Sequence, residues 1–195
     1  MDGRPIFLHA GSALGPDGPV ASVEVEAPKE LARFRLPDPP EGETLRTAVR
    51  AALGLLDLAE TRITAPLLAA AVLPPALEAD FAIHLAGPTG VFKTELAALA
   101  QQFYGAELDS RHLPAGWHST PNALEILAFQ AKDCLLVVDD FAPAGPVWMV
   151  ALQHREADRL IRAAGNRQGR RRLRSDATPG AYRPPRCLIL STGED

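Results

Sequence analysis

Cysteine is scarce: Cys134 and Cys187 are the two in 195 residues, each inside a short apolar run. That usage argues against a disulfide scaffold and fits reduced, buried thiols. The five histidines fall at no ligand spacing and no C-x-x-C occurs, so no metal cage is expected. His84, in "FAIHLAG", reads as a strand histidine with a satisfied ring. Long apolar runs are missing too. The most apolar stretch, "ITAPLLAAAVLPPAL", is broken by prolines and too short to span a bilayer. No basic start followed by an apolar run opens the chain. The expectation is a soluble, cytoplasmic protein without a membrane partner.

What is present suffices for a core. At 47% hydrophobic the chain can bury one ordinary domain, or a domain with a small appendage. The net charge of −4 argues against a nucleic-acid binder until its distribution is read. Residues 1–153 carry 10 basic and 19 acidic side chains, whereas residues 154–195 carry 10 basic and 5 acidic. Such asymmetry suggests a local anionic partner, either phosphate groups or a nucleic-acid backbone.

The first forty residues are rich in proline and glycine, with two strand-like runs, "PIFLHAG" and "PVASVEVEA". The second alternates Val23 and Val25 with Glu24 and Glu26, the period of a half-exposed strand. "LPDPPEG" reads as a linker. Apolar residues at helical spacing predict an amphipathic helix over 43–58. Thr64 is placed as the cap of a second helix, with Pro66 in its first turn. From Asp80 onward the rhythm becomes strand, turn, helix. "FAIHLAG" is a strand, followed by a helix with Leu96, Leu99, Ala100 and Phe103 on one face, stopped at Gly105. "TPNALEILAFQA" is a helix capped by Thr120, with Pro121 at its first position. "CLLVVDD" and "RCLILSTGED" read as buried strands on either side of a long helix, "VWMVALQHREADRLIRAAG". This alternation argues for a parallel sheet with helices on both sides.

Between the first of these strands and its helix stands "GPTGVFKTE", residues 87–95. It follows the phosphate-gripping pattern G-x-x-x-x-G-K-[ST] at Gly87, Lys93 and Thr94, but Phe92 replaces the second glycine. A triphosphate needs converging backbone N–H groups, the positive end of a helix, a cation and a magnesium ligand. Residues Gly87, Pro88, Thr89, Gly90, Val91, Phe92, Lys93 and Thr94 form the candidate nucleotide site. Lys93 would reach the outer phosphates and the Thr94 hydroxyl would hold Mg2+. Phe92 fits on the condition that its φ is negative and its ring turns outward. The bland alternative is a glycine turn before a helix.

Forty-six residues past Lys93, the strand "CLLVVDDF" ends in Asp139 and Asp140. At a strand's carboxyl end they would stand beside the loop, Asp139 supporting magnesium and Asp140 organising the attacking water. The last strand ends in Ser191, Thr192 and Glu194. Thr192 is the candidate for sensing the terminal phosphate or holding that water. "RLIRAAGNRQGRRRLRSD" concentrates arginine between the last two strands. It suits phosphoryl-transfer chemistry, with an arginine acting within the subunit or supplied in trans, or a nucleic-acid backbone, DNA, along residues 155–174. A solvated basic loop is the alternative.

These stretches resemble a known family, the domain of unknown function numbered nine hundred and twenty-seven, found in plasmid and phage replication proteins with helicase or primase-helicase character. The matching stretches are "FAIHLAGPTGVFKTELAALAQQFYG", "GWHSTPNALEILAFQAKDCLLVVDDFAP", "LIRAAGNRQGRRRLRSD" and "PPRCLILSTGED". The opening, "IFLHAGSALG" through "LGLLDLAETRITAPLLAA", is similar but less specific. The resemblance implies a P-loop ATPase of the additional-strand group, using ATP and Mg2+ and assembling as a homo-oligomeric ring on DNA. It also implies roles for Trp117, Thr120, Asn122 and Glu125 in a W-x-x-T-x-N-x-x-E pattern, and for Arg170 and Arg172 in a G-R-x-R element, which makes Arg170 the catalytic arginine candidate. Two departures stand out: Phe92, and Asp140 where a glutamate is more usual.

The expected architecture is therefore α/β: a P-loop NTPase core over 76–195, behind a small α/β appendage over 1–75. Such a fold has a further strand beside that of the phosphate loop. Its absence before Asp195 implies a core shortened after the fourth strand, with an open sheet edge unless an N-terminal strand covers it. The expected function is a helicase-like ATPase in replication of a mobile genetic element. The alternative is a non-catalytic nucleotide- or DNA-binding module with a degenerate loop.

Overall fold

The computed structural model describes residues 5–74, 77–168 and 182–194. Its centre is a parallel four-stranded sheet of β4 (Ala82–Ala86), β5 (Ala115–Gly116), β6 (Leu135–Phe141) and β7 (Leu188–Gly193), in the order β4-β7-β6-β5. Leu135 to Val138 of β6 and all of β7 are buried, as a strand run without polar alternation requires. Three helices flank the sheet: α3 (Lys93–Gln101), α4 (Pro121–Gln130) and α5 (Val147–Gly165). Thr120 caps α4, its side-chain oxygen accepting from Ala123 N at 3.4 Å, with Pro121 at the first position. The short strand β5 was not anticipated: two residues carry no periodicity to read.

Of the expected face of α3, Ala100 is buried and Leu96 and Phe103 pack against the core, but Leu99 does not, and the buried face is wider than expected. Ala97, Ala98, Ala100 and Gln101 are the buried residues, while Leu99 is exposed. Alanines let the helix lie close to the sheet, which bulkier leucines would hold away. Gln101 has a particular task. Because β5 pairs only near the end of β6, the start of β6 has no strand beside it on the side away from β7. The Gln101 amide fills in, donating to Leu135 O at 2.9 Å and accepting from Val137 N at 2.7 Å. Both backbone groups are thereby satisfied in a fully buried position.

The N-terminal region differs more from expectation. A three-stranded antiparallel sheet holds β1 (Phe7–His9), β2 (Ser12–Gly15) and β3 (Gly18–Pro19). Of residues 19–27, expected as a strand, only Pro19 lies in one, at the end of β3; Val23 and Val25 are half-buried between exposed glutamates, but no neighbouring strand pairs with them. Helix α1 (Gly42–Leu53) ends before its expected limit and continues as a 3-10 turn, Gly54–Asp57. Thr64 does not cap α2 (Thr61–Val72). It lies a turn inside, fully buried, with its hydroxyl donating to Leu56 O at 3.1 Å. Pro66 is likewise inside this helix, beyond the first turn.

The N-terminal region shares the core of the sheet, since Leu31, Phe34 and Leu55 pack in one cluster with Tyr104, Leu135 and Ile189. Gly105 permits this approach; a Cβ there would lie 1.9 Å from Arg33 O. The small sheet does not join the large one, however, so among the described residues β4 pairs with β7 alone and leaves an edge uncovered. Cys134 and Cys187 are free and buried, and burial pushes the Cys187 thiol up to about 12. Among the described residues no helix is long and apolar enough to cross a membrane.

Two stability measurements follow from this packing. Gln101→Leu strands a buried carbonyl and a buried N–H, and chemical denaturation should register a loss on the order of 3 kcal/mol. Buried His9 accepts from Leu36 N through Nδ1 at 3.2 Å, and burial, then Arg35, lower its pKa. The fold thus favours neutral imidazole. Its stabilising contribution is complete above the ordinary value of 6.5 and falls as pH drops below it. A His9→Gln variant should flatten that part of the profile of melting temperature against pH.

Candidate functional site

The loop from Gly87 to Phe92 joins the carboxyl end of β4 to the amino end of α3. Gly90 has φ 88°, open to glycine at no steric cost. Phe92 departs from the stated condition. Its φ is +60° with ψ 27°, in the left-handed region, although its ring does turn outward and is 74% exposed. The chain needs this turn to enter α3, and a side chain there costs about 1 kcal/mol that glycine would not. Lys93 opens the helix and folds back over the loop, its Nζ donating to Gly87 O and Pro88 O, each at 2.7 Å.

The acidic pair sits on an irregularity of β6. Its register against β7 shifts between Val138 and Phe141, and Asp140 has φ 64°. In a regular strand adjacent side chains point to opposite faces; the shift re-aims them. Asp139 Oδ1 accepts from the Thr94 hydroxyl at 2.9 Å and from the Thr192 hydroxyl at 2.5 Å. The Thr192 hydroxyl in turn accepts from Asp140 N at 3.1 Å. Thr89 donates to Glu194 across the loop. A cavity of about 270 Å³ opens here, lined by Thr89 to Glu95 together with Asp140, Thr192, Gly193 and Glu194.

Thr89, Gly90, Val91, Phe92, Lys93, Thr94, Asp140 and Thr192 therefore share one cavity, with Asp139 bonded directly behind it. Gly87 and Pro88 enter through their carbonyls. Arg170 and Arg172 lie outside the described residues. Thr94 and Asp139, the expected magnesium pair, do converge; among the described residues no three His, Cys, Asp or Glu side chains gather as a protein-only metal site. A cation held by one hydroxyl and one carboxylate relies on phosphate oxygens and water for its remaining ligands, which suits Mg2+. Gly193 was not singled out, yet a Cβ there would lie 2.5 Å from Phe141 O, so the close approach of β7 to β6 depends on it.

Trp117, Thr120 and Glu125 of the W-x-x-T-x-N-x-x-E stretch acquire structural tasks. The Trp117 indole N–H donates to Ser191 Oγ at 2.8 Å, and His84 Nδ1 meets the same hydroxyl at 3.0 Å. Thr120 caps α4, and Glu125 pairs with Arg159 of α5 at 3.1 Å. In the described part of the basic segment, Arg159, Arg162 and Arg167 each have a carboxylate partner, and Arg155 is exposed.

An α/β chain with strand-tip residues converging on a helix-opening loop is the class that fold and site define. The chain belongs to the family described as Domain of unknown function (DUF927), which matches residues 56–178. The match includes the loop, the acidic pair and the W-x-x-T-x-N-x-x-E stretch, and leaves the opening segment and β7 outside it. No curated protein and no solved structure matches the chain.

The strain at Phe92 has a direct test. Phe92→Gly relieves the left-handed side chain but adds freedom to the unfolded chain, for a net gain of about 0.5 kcal/mol. Thermal unfolding should give an unchanged or slightly higher midpoint, whereas a clear fall would mean the exposed ring makes a contact that matters.

Proposed function

We propose that the cavity at the tips of β4, β6 and β7 binds a nucleoside triphosphate with Mg2+ and hydrolyses it to the diphosphate and phosphate. The observation carrying this reading is the convergence of Thr94 and Thr192 on Asp139, beside a glycine turn whose lysine opens a helix. The fold proposed to hold it is a P-loop NTPase core, residues 76–195, with 1–75 as its appendage.

Each residue then has a task that elementary electrostatics assigns. Backbone N–H groups at the start of α3, reinforced by the helix dipole, face the anion. Lys93 exchanges its two carbonyl acceptors for outer phosphate oxygens, offsetting charge as the terminal group departs. Thr94 and Asp139 hold Mg2+, which supplies further charge neutralisation when bound. Asp140, on the cavity wall, orients water and accepts its proton, while Thr192 fixes the height of the acidic pair.

A second reading is a nucleotide- or DNA-binding module without turnover. Phe92 favours it, because its bulk and strained backbone occupy the position where close phosphate approach is easiest with glycine. A helicase-like motor on DNA in replication of a mobile genetic element, cytoplasmic and ring-forming, is the wider proposal. It rests on the family resemblance and on the arginines of 155–174. Since three described arginines already have carboxylate partners, DNA contact would draw mainly on Arg155 and the residues beyond 168.

Phosphate release and ATP binding, measured with and without single-stranded DNA, separate these readings. Lys93→Ala is expected to reduce release on the order of 100-fold. DNA-stimulated release lost in that variant supports the motor. ATP binding without release in the native chain supports the passive module, and absence of both binding and release rejects the triphosphate site.

A further inference from the structure

Packing does little to hold the acidic pair. Asp140 is exposed, and it lines both the first cavity and a second one of about 170 Å³ beside it. Its place is set by the backbone, at the register shift of β6 against β7 between Val138 and Phe141. Such an irregularity disrupts the ladder, so the chain needs another support there. Trp117, the residue after β5, supplies it. Its backbone N–H donates to Asp139 O at 2.9 Å. Its indole N–H donates to Ser191 Oγ at 2.8 Å. Its ring meets Phe141 edge-on, with centroids 5.3 Å apart and planes at 70°. One residue thus grips β6 before and after Asp140, and grips the neighbour of Thr192 on β7.

Ser191 is the meeting point. It is buried, and its hydroxyl also meets His84 Nδ1 at 3.0 Å. The strand pairing sets His84 opposite Ser191 and Ser191 opposite Val138. This belt therefore crosses the sheet one row before Thr192 and Asp139. Adjacent residues of a strand face opposite sides, so the Ser191 hydroxyl braces β7 from the face away from the Thr192 hydroxyl. No member of the belt needs to touch a nucleotide. Packing against Phe141 alone would ask only for a ring, and phenylalanine would serve. What tryptophan adds is a donor, which an indole can give but never accept.

We propose that Trp117 is a positioning residue for the acidic pair, its indole bond to Ser191 setting where Asp139 and Asp140 stand relative to Thr192. The catalytic consequence rests on the reading of the first cavity as a triphosphate site; the placement of the acids is a property of the chain alone. Without the bond, the tip of β6 is free to shift against β7. Asp139 then meets Thr94 less well, so the pair proposed to hold Mg2+ opens, and Asp140 loses its aim at water. Lys93 and the loop amides lie on other elements and keep their grip on phosphate.

In the full chain, Trp117→Phe keeps a ring against Phe141 and removes the donor. Ser191→Ala removes the acceptor, and carries the same test should the first variant fail to fold. Hydrogen exchange of the Asp140 amide, which donates to Thr192 Oγ1, reads the placement of the acids without any ligand. It should accelerate about tenfold in either variant, the equivalent of one hydrogen bond, while the amides of Leu135 to Val138 keep their native rates. With ATP present, the Mg2+ concentration giving half-maximal binding should rise about tenfold, and ATP affinity without Mg2+ should not change. For phosphate release, kcat should fall about tenfold with KM within about twofold of native. The double variant should lose no more than either single one, since both remove the same bond. The proposal is overturned by native Asp140 exchange in both variants, or by equal acceleration along all of β6, as a merely structural tryptophan would give. Additive losses in the double variant, or native Mg2+ dependence and kcat in both single ones, overturn it too. A native chain that binds no ATP rejects the triphosphate site, and exchange at Asp140 then decides this proposal by itself.

Discussion

One carboxylate oxygen, Asp139 Oδ1, receives hydroxyl groups from the start of α3 and from the tip of β7. These partners lie 45 and 53 residues away in the chain, so a single acceptor pins three elements at one point. Hydrogen bonds to a charged acceptor contribute about 1.5–3 kcal/mol each, enough to fix the relative height of loop and strands. The buried run Leu135–Val138 sets where β6 ends, and the register shift beyond it sets which way the acids face. Remove that oxygen, and the loop loses its tie to the sheet while Thr192 loses the acceptor that orients it.

Backbone strain gathers at the same place. Of the four non-glycine residues with positive φ among the described residues, Phe92 and Asp140 belong to this site. Neither conformation is needed to build a sheet and a helix; a glycine would serve the first turn at less cost. Strain of this kind persists where surrounding structure over-determines it, and it often accompanies function. For Asp140 the consequence is geometric. Its left-handed turn carries it away from the strand's regular alternation to a wall between two cavities.

Legibility in the sequence follows the length and burial of each element. β6 and β7 are continuous apolar runs, α4 opens with a cap and a first-position proline, and α5 is long, so each was readable. The N-terminal region was not. Val23 and Val25 alternate with glutamate, but alternation records burial and cannot supply a pairing partner. Thr64 has the chemistry of a cap, yet its hydroxyl is spent on Leu56 O across a turn. Gln101 reads as an ordinary polar helix residue until β5 proves too short to cover β6. At the site, residue types and spacing led to Lys93, Thr94, Asp139, Asp140 and Thr192. What spacing could not convey was the sign of φ at Phe92, because it depends on how the loop must turn into α3. The shared wall at Asp140 was equally hidden, since it arises from a shift in strand register.

If the loop is a phosphate cradle, its own backbone amides must answer to the ligand. Hydrogen exchange of the amides from Gly87 to Thr94, omitting Pro88, tests this directly, followed with and without ATP and Mg2+. The account predicts slowed exchange across these amides on adding both, and none on adding adenosine alone. Identical exchange in all three conditions would contradict it.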